Sequence, residues 1–447
     1  MATTTTTTET CHQPASVKPS ANKTADLTLN ATFGKFQQPS SDEDYNHAVS
    51  LIQSKLDKFG PVNAVFTVNL GPNQPELLID ARHSPATISK LSSESQQPSD
   101  VSGKLHMRPH MIQRWVDGLM EARYSLSYGH VHLATGTPPR IGTKFVDGLT
   151  PFGAVHPKLD PEMIPKLPKP TENIAQMKRD LKDFGYGLLK NAITGDELKR
   201  LQVRLKEQAQ GEADAGVGFF DGGENKPNQR VWNLPNKGQE FIDLLDHNPT
   251  FETFVPQFLG EDAYLFSYTA NIAKPGNTPM NLHTDQITIQ PPIRDVAFGL
   301  NFMFFLTDVT PELGGTLVMP ASHKGNLAPD DPYDAHSDTL SAHGPAGTCM
   351  IFESRIWHAT GSNTVPGSER PVIIVFFMRS FVRQQENWAL SLRDDVLDGL
   401  SDKVKGYLGF RSVGTMGGVE GKTKDGTIVR KVESPIGVLR PKAVTSA

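Results

Sequence analysis

The sequence has 447 residues, more than one ordinary hydrophobic core organises, so we expect at least two domains. Its formal net charge of −5 excludes a nucleic-acid-binding protein that depends on a strongly basic surface. The two cysteines, Cys11 and Cys349, are too few for a disulfide framework or for a cysteine zinc site.

The hydropathy and the two ends of the sequence favour a cytoplasmic protein. No apolar run reaches the roughly 18 residues of a membrane span. The N-terminal stretch MATTTTTTE lacks the basic and apolar regions of a signal peptide, and the C-terminal VTSA is not a peroxisomal address. We therefore expect neither a transmembrane segment nor secretion.

The first third of the chain is predicted to contain a tail and a small α+β domain. Residues 1–39 are rich in Thr, Ser and Asn and have too few large apolar side chains to fold, so they are predicted to be a disordered tail. Ser41 is the candidate N-cap of the first helix of a domain at 40–155. Its predicted elements are a helix at 42–58, strands at 65–70 and 76–80, a polar loop at 87–102, a strand at 103–107, a helix at 109–123 and a strand at 130–133.

A proline-rich stretch separates this domain from the rest of the chain. Residues 156–171 hold several prolines among charged residues, which predicts a stiff, extended linker. The predicted elements that follow are a helix and strand at 172–189, a second helix opened by a capping box at Thr194 and Glu197, a glycine-rich loop at 219–236 and a helix at 251–259. Residues 413–447 are assigned to a C-terminal tail or flap.

A histidine and an aspartate lie two positions apart in the stretch Asn281–Asp285. If this stretch is a strand, His283 and Asp285 leave the same face, because strand side chains alternate. Two histidines and one carboxylate form the facial triad of non-haem Fe(II) oxygenases, so a third ligand is required, and His358 is the candidate. A bare His-x-Asp pair arises often by chance and ordinarily lies in a solvated loop. The surrounding sequence therefore decides whether the pair is interpreted as a metal site.

The motifs around this pair occur in a recognisable order. An apolar strand at 263–272 precedes it, and the nearly unbroken apolar run at 298–309 is typical of a strand buried on both faces. The stretches Glu312–Lys324, Gly347–Phe352 and Ile356–Gly361 follow. Over residues 172–412 this order resembles the phytanoyl-CoA dioxygenase family of Fe(II)/2-oxoglutarate oxygenases.

The resemblance implies a fold and a set of site residues. The fold is a double-stranded β-helix, or jelly roll, with flanking helices. His283, Asp285 and His358 would hold Fe(II), Arg370 and Thr360 would bind the co-substrate 2-oxoglutarate, and O₂ would be the oxidant. Arg370 opens a strand soon after His358, where the family places an arginine for the far carboxylate of the co-substrate. Arg379, at the end of the same strand, is the rival.

Several residues near these motifs are open to more than one interpretation. Asn301, Phe302 and Phe304 alternate on one predicted strand, so that one set faces the pocket and the other the core, and the sequence does not decide which. Structural roles are expected for the remaining candidates, which are His130, His132, His323 and Trp357.

The order of elements in residues 40–155 resembles the sterol carrier protein fold. The resemblance implies an α+β domain that shields a lipid or an acyl-CoA between sheet and helices. The alternative is a small α+β domain that serves stability or dimerisation, because a fold does not fix a function.

Together these observations predict a two-domain Fe(II)/2-oxoglutarate-dependent dioxygenase that releases succinate and CO₂. Its expected substrate is an apolar or amphipathic small molecule, such as a fatty acyl thioester, a lipid or a specialised metabolite, and the expected reaction is hydroxylation. The alternative is a lipid-binding carrier protein whose oxygenase-like domain is inactive.

Overall fold

The computed structural model of the chain describes residues 39–91, 98–152, 159–293, 295–325, 329, 338–419 and 426–429. The predicted disordered tail, apart from residue 39, lies outside the described residues, as do part of the linker region and most of the C-terminal tail or flap. None of the helices in the described ranges has the length and apolar character needed to span a membrane.

The helices and strands are as follows. The helices are α1 (Asp42–Gln53), α2 (Pro109–Val116), α3 (Ala122–Ser127), α4 (Pro139–Leu149), α5 (Ile174–Phe184), α6 (Gly195–Asp214), α7 (Gln239–His247), α8 (Pro249–Phe258), α9 (Trp388–Ser391), α10 (Asp394–Gly399) and α11 (Asp402–Tyr407). The strands are β1 (Val65–Asn69), β2 (Glu76–Asp80), β3 (Thr87–Leu91), β4 (Val101–His106), β5 (His132–Leu133), β6 (Tyr186–Leu189), β7 (Phe219–Asp221), β8 (Asn228–Val231), β9 (Tyr264–Ala273), β10 (Gly299–Phe305), β11 (Thr316–Met319), β12 (Leu340–Ala342), β13 (Cys349–Glu353), β14 (Trp357–Ala359) and β15 (Arg370–Met378).

The described residues between 39 and 152, which we call the N-terminal unit, contain a five-stranded sheet and helices α1 to α4. The strand order is β3-β2-β1-β4-β5, with β1 antiparallel to β2 and parallel to β4. The helices bury large side chains such as Trp115 and Phe145 in a core of their own. The indole N–H of Trp115 donates a hydrogen bond to the hydroxyl of Ser125 at 2.7 Å, which satisfies its buried polar atom.

The first helix begins where the sequence predicts it, at the N-cap Ser41. The Ser41 hydroxyl accepts a hydrogen bond from the backbone N–H of Asp44 at 3.0 Å. We expect Ser41→Ala to lower the free energy of unfolding by about 1 kcal/mol, because one N–H at the helix start loses its partner. Urea denaturation of the variant measures this loss. Ser41→Asp, which retains a capping oxygen, is the matched control, and equal stabilities of the two variants would contradict the capping role.

The structure corrects two sequence predictions in the N-terminal unit and contains one helix that the sequence did not predict. The polar loop predicted at 87–102 contains β3 and the start of β4; β3 is an edge strand with three exposed side chains, so its hydrophobic alternation is weak. The helix predicted at 109–123 ends at Val116, and Gly118 follows in a left-handed conformation with φ of 71°. The helix α4 was not predicted because it contains Gly142 and Gly148, which weaken a helical pattern.

The second half of the described chain contains two antiparallel sheets that face each other. The larger has the order β6-β13-β10-β15-β9-β8-β7 and the smaller the order β12-β11-β14. Side chains from both sheets share one core cluster, for example Val318 of the smaller sheet and Met303 of the larger. This is the two-sheet arrangement expected of a jelly roll.

Helices cover the outer face of the larger sheet. On α8, the fully buried ring of Phe251 lies 5.1 Å from the ring of Phe302 and 5.4 Å from that of Phe377. Because neighbouring side chains of β10 point to opposite faces, the burial of Phe302 and Phe304 under the helices turns Asn301 and Met303 towards the other sheet.

Two further predictions differ from the structure here. The loop predicted at 219–236 contains the hairpin β7–β8, which extends the larger sheet at its edge. Thr194 is the N-cap of α6, as the capping box predicts, but its side chain makes no capping hydrogen bond.

Candidate metal centre

Three side chains from distant parts of the chain converge between the two sheets. Asp285 Oδ1 lies 3.8 Å from His283 Nε2, and Asp285 Oδ2 lies 3.7 Å from His358 Nε2. Each residue offers one ligand atom, and these three atoms lie within 4.8 Å of one another. The structure therefore brings together all three residues that the sequence selects as metal ligands.

A short antiparallel bridge places the two histidines side by side. The backbone N–H of His283 donates to the carbonyl of His358 at 3.0 Å, and the N–H of His358 donates back at 2.9 Å. Asn281–Asp285 is not the regular strand that the sequence left open as a condition, because a 3₁₀ turn begins at Asp285. That turn, rather than strand alternation, directs the carboxylate towards both imidazoles.

Backbone carbonyls fix which ring nitrogen of each histidine carries the proton. Nδ1 of His283 lies 2.8 Å from the carbonyl oxygen of Asn281, and Nδ1 of His358 lies 3.1 Å from that of Ile356. A carbonyl oxygen can only accept, so each Nδ1 is the protonated nitrogen. Each Nε2 therefore faces Asp285, on the side where a metal ion would accept its lone pair.

The environment keeps His283 uncharged. Burial is the main cause that lowers its pKa well below the usual range, and the neighbouring His358 and the positive charge of Arg123 act in the same direction. A neutral imidazole retains the lone pair that a metal ligand requires.

Asn301 is a polar neighbour of the cluster whose role the sequence left open. Its side-chain amide donates a hydrogen bond to Asp285 Oδ2 at 3.2 Å. This contact orients the carboxylate. The only indication of it in the sequence is that Asn301 is a polar residue within an otherwise apolar strand.

Arg370 is a buried cation with unused hydrogen-bonding capacity. Its side chain is 1% exposed, and its Nε and Nη2 have no hydrogen-bond partner in the part of the chain that the structure describes. Burial, followed by the positive charge of Arg230, lowers its pKa to about 10, so it stays charged near neutral pH. On β15 it shares a face with Ile374 and Phe376, which line the cavity described below.

The other sequence candidates have different surroundings. Thr360 lines the cavity, and its hydroxyl accepts a hydrogen bond from the Asn271 amide at 3.3 Å. Arg379, the rival of Arg370, donates to the carbonyls of Ala297 and Leu259, both at 3.0 Å, and to that of Phe258. Its guanidinium group therefore already donates hydrogen bonds to backbone carbonyls.

Three histidines and one tryptophan that we expected to be structural lie outside the cluster. His323 is buried and bonds the carbonyl of Lys182 at 3.1 Å, and Trp357 packs in a small apolar cluster. His130 stacks on Tyr124, and the His132 ring lies 5.9 Å from that of His106.

The metal-ligand candidates open onto a cavity of about 880 Å³. His283, Asp285 and His358 lie in its wall, together with Asn301 and Thr360. Much of the remaining wall is aromatic, contributed by Tyr128, Phe219, Trp232, Phe298, Phe376 and Phe381. Such a cavity has the size and the apolar character of a small-molecule site with a few polar groups.

Comparison with known proteins identifies the family. The profile of the phytanoyl-CoA dioxygenase (PhyH) family matches residues 181–372. Dioxygenase af480 of Aspergillus fumigatus is 30% identical over 250 residues, which cover 55% of this chain and 79% of that protein. The uncharacterized protein Rv1501 of Mycobacterium tuberculosis is 35% identical over 264 residues, which cover 56% of this chain and 92% of that protein.

Among solved structures, the non-heme alpha ketoglutarate dependent carbocyclase SnoK from nogalamycin biosynthesis is similar at 20% identity, with a TM-score of 0.40, over 52% of this chain and 94% of that one. The family profile covers all three residues of the cluster, and the matches to the two sequence relatives extend over most of those proteins' length. The chain therefore belongs to the phytanoyl-CoA dioxygenase family and is a 2-oxoglutarate-dependent non-haem iron dioxygenase, an enzyme that uses Fe(II), 2-oxoglutarate and O₂.

Proposed function

We propose that this enzyme hydroxylates an apolar or amphipathic small molecule in the cavity, with Fe(II) held by His283, Asp285 and His358. The observation that carries the proposal is the approach of the three ligand atoms to within 4.8 Å of one another. Two neutral imidazoles and one carboxylate suit Fe(II) and form the facial triad that leaves positions for other ligands.

The chain's own groups prepare this site before any metal binds. The carbonyls of Asn281 and Ile356 hold the two imidazoles with Nε2 turned to the centre. The Asn301 amide holds one oxygen of Asp285. Bound Fe(II), with 2-oxoglutarate as reductant, would supply the activation of O₂ that converts a substrate C–H bond to C–OH and releases succinate and CO₂.

Arg370 is the proposed anchor for the far carboxylate of 2-oxoglutarate. Two N–H-bearing nitrogens of a buried guanidinium group lack partners in the described ranges, and an unsatisfied buried cation is costly. A carboxylate would accept both N–H groups in a bidentate pair. Thr360, which lines the cavity, would donate its hydroxyl to the same co-substrate.

The aromatic wall of the cavity supports an apolar or amphipathic substrate, whether a fatty acyl thioester, a lipid or a specialised metabolite.

The resemblance of residues 40–155 to sterol carrier proteins adds a lipid or acyl-CoA site in the N-terminal unit as a hypothesis. Saturable binding of a fluorescent fatty acid to the full chain when the oxygenase cavity is blocked would support it; loss of binding on blocking would refute it. The presence of all three proposed metal ligands argues against the alternative of a lipid-binding carrier protein whose oxygenase-like domain is inactive.

Succinate formation tests the proposed function. Metal-stripped enzyme is supplied with Fe(II) or Zn(II), 2-oxoglutarate, O₂ and a panel of apolar candidate substrates, and succinate and oxidised product are measured by mass spectrometry. We expect succinate to appear with Fe(II) only and to rise with a substrate that gains one oxygen atom. Comparing metabolites of a strain with and without the enzyme identifies the natural substrate. Succinate formation that is independent of Fe(II) would contradict the proposal.

Asn301→Leu removes the amide that holds the Asp285 carboxylate while preserving side-chain volume. We expect Fe(II) affinity to fall by roughly 10- to 100-fold, the usual effect of losing a partner of a metal ligand. Metal titration measures the affinity directly. Asn271→Leu, which alters another amide in the cavity wall, is the control and leaves metal affinity unchanged. Equal metal affinities of Asn301→Leu and wild type would exclude the orienting role.

A further inference from the structure

The N-terminal unit holds the segment that carries two of the proposed metal ligands. Helix α3 packs against the 3₁₀ turn Asp285–Thr288. The Arg123 guanidinium group donates to the carbonyl of Leu282, immediately before His283. The backbone N–H of Glu121 donates to the side-chain oxygen of Gln290 at 3.1 Å. One short helix is thus joined to both ends of the 282–290 segment.

The same helix leads into an aromatic stack that reaches the cavity. The ring of Tyr128 stacks on that of Tyr124 at 4.3 Å with an interplanar angle of 22°. Tyr124 in turn stacks on His130 at 5.7 Å and 24°. Tyr128 is the outer member that lines the cavity, and it is 49% exposed. The stack fixes the plane of this ring and leaves it accessible at the cavity wall.

We propose that Tyr128 is a specificity-determining residue contributed by the N-terminal unit, and that it binds a planar aromatic or conjugated ring of the substrate. This inference rests on the proposed function, since it narrows the substrate class of the same cavity. The N-terminal unit then completes the active-site wall.

The aromatic content of the wall favours a planar ring over an alkyl chain. Aromatic rings attract one another in offset-stacked or edge-to-face arrangements beyond the burial of apolar area. The Tyr128 ring already stacks on Tyr124, so it loses little conformational freedom when a further ring packs on it. An alkyl chain would gain only from burial, which any apolar wall provides.

Arg123 acts as a positioning residue in this arrangement. Its charged hydrogen bond to the Leu282 carbonyl connects α3 to the ligand segment, and Tyr128 follows directly after α3. We expect Arg123→Met to weaken the binding of a planar ligand even though Tyr128 is still present. Arg123→Lys should bind the ligand more tightly than Arg123→Met does, because it keeps a positively charged donor.

The experiment measures binding of a planar probe to the full chain. The fluorescence of 8-anilinonaphthalene-1-sulfonate is titrated against wild type and Tyr128→Ala, Tyr128→Phe and Leu119→Ala, first without metal and then with Co(II). Leu119 is a half-exposed apolar residue of the same unit that is not in the cavity wall, so it is the matched control. Bound Co(II) should quench a dye that lies in the cavity, and competition by 2-naphthoate and by decanoate compares a planar with an aliphatic carboxylate.

We expect Tyr128→Ala to weaken dye binding by roughly three- to tenfold, as loss of one aromatic contact predicts, while Tyr128→Phe and Leu119→Ala bind as wild type does. The preference for 2-naphthoate over decanoate should also disappear in Tyr128→Ala. Equal dye affinity of Tyr128→Ala and wild type, or equal competition by the two carboxylates in wild type, would overturn the inference. Failure of Co(II) to bind would instead contradict the proposed metal site, and the metal-free titration would still decide the role of Tyr128.

Discussion

Replacing Asp285 by alanine is expected to abolish Fe(II) binding and turnover while the fold is retained. Asp285 is the only anion among the three proposed ligands, and each of its oxygens faces one imidazole, at 3.8 and 3.7 Å. Without it, two histidines remain, and two nitrogen ligands hold a labile divalent ion poorly. Asp285 lies in a turn at the cavity wall and not in the apolar core, so its loss leaves the core packing intact.

Metal titration and succinate release measure the two effects, and thermal unfolding of the metal-free protein tests the fold. His343→Ala is the control, because His343 is exposed and bonds only the backbone carbonyl of Ser341 among the contacts of the described chain. It should bind iron and release succinate at the wild-type level. Full activity of Asp285→Ala would mean that the metal is held elsewhere.

The sequence identifies the ligand candidates because their chemistry is specific and their context is ordered. A His-x-Asp pair and a later histidine, each beside a buried strand, suffice to predict that three side chains meet. The local geometry differs from the strand that we considered, since a turn presents Asp285. The three side chains meet nevertheless, because the backbone bridge between His283 and His358 fixes the two imidazoles. This bridge does not depend on the conformation of Thr284, the residue between His283 and Asp285.

The contacts between distant parts of the chain were not predictable in this way. Asn301 reaches Asp285, and Arg123 reaches Leu282, through tertiary packing that leaves no periodic trace in the sequence. The same holds for α4, because Gly148 lies within it and glycine is unfavourable in a helix. In the structure a Cβ at Gly148 would lie 2.6 Å from the ring of Phe59, so close packing requires glycine there. A residue that a tertiary contact requires can therefore make a helix unrecognisable from its local sequence.

Arg370→Lys is expected to raise the Michaelis constant for 2-oxoglutarate by roughly tenfold to somewhat over a hundredfold, since losing a charged hydrogen bond costs about 1.5–3 kcal/mol. A lysine retains the positive charge but cannot present two N–H groups in the planar fork that a carboxylate accepts. Arg370 lies on the same face of β15 as the cavity residues Ile374 and Phe376 and is not one of the proposed metal ligands, so metal affinity should be unchanged. Steady-state kinetics at varied 2-oxoglutarate, with metal affinity measured separately, distinguishes the two effects.

Arg379→Lys is the matched control, because it alters an arginine of the same strand region whose guanidinium group bonds the carbonyls of Ala297, Leu259 and Phe258. These are contacts within the fold, so this variant should lose stability and keep its Michaelis constant for 2-oxoglutarate. The opposite pattern, with an unchanged constant in Arg370→Lys and a raised one in Arg379→Lys, would transfer the co-substrate role to Arg379. It would also leave without an explanation the two nitrogens of Arg370 that have no hydrogen-bond partner among the described residues, since a buried guanidinium group is stable only when an anion or other acceptors satisfy it.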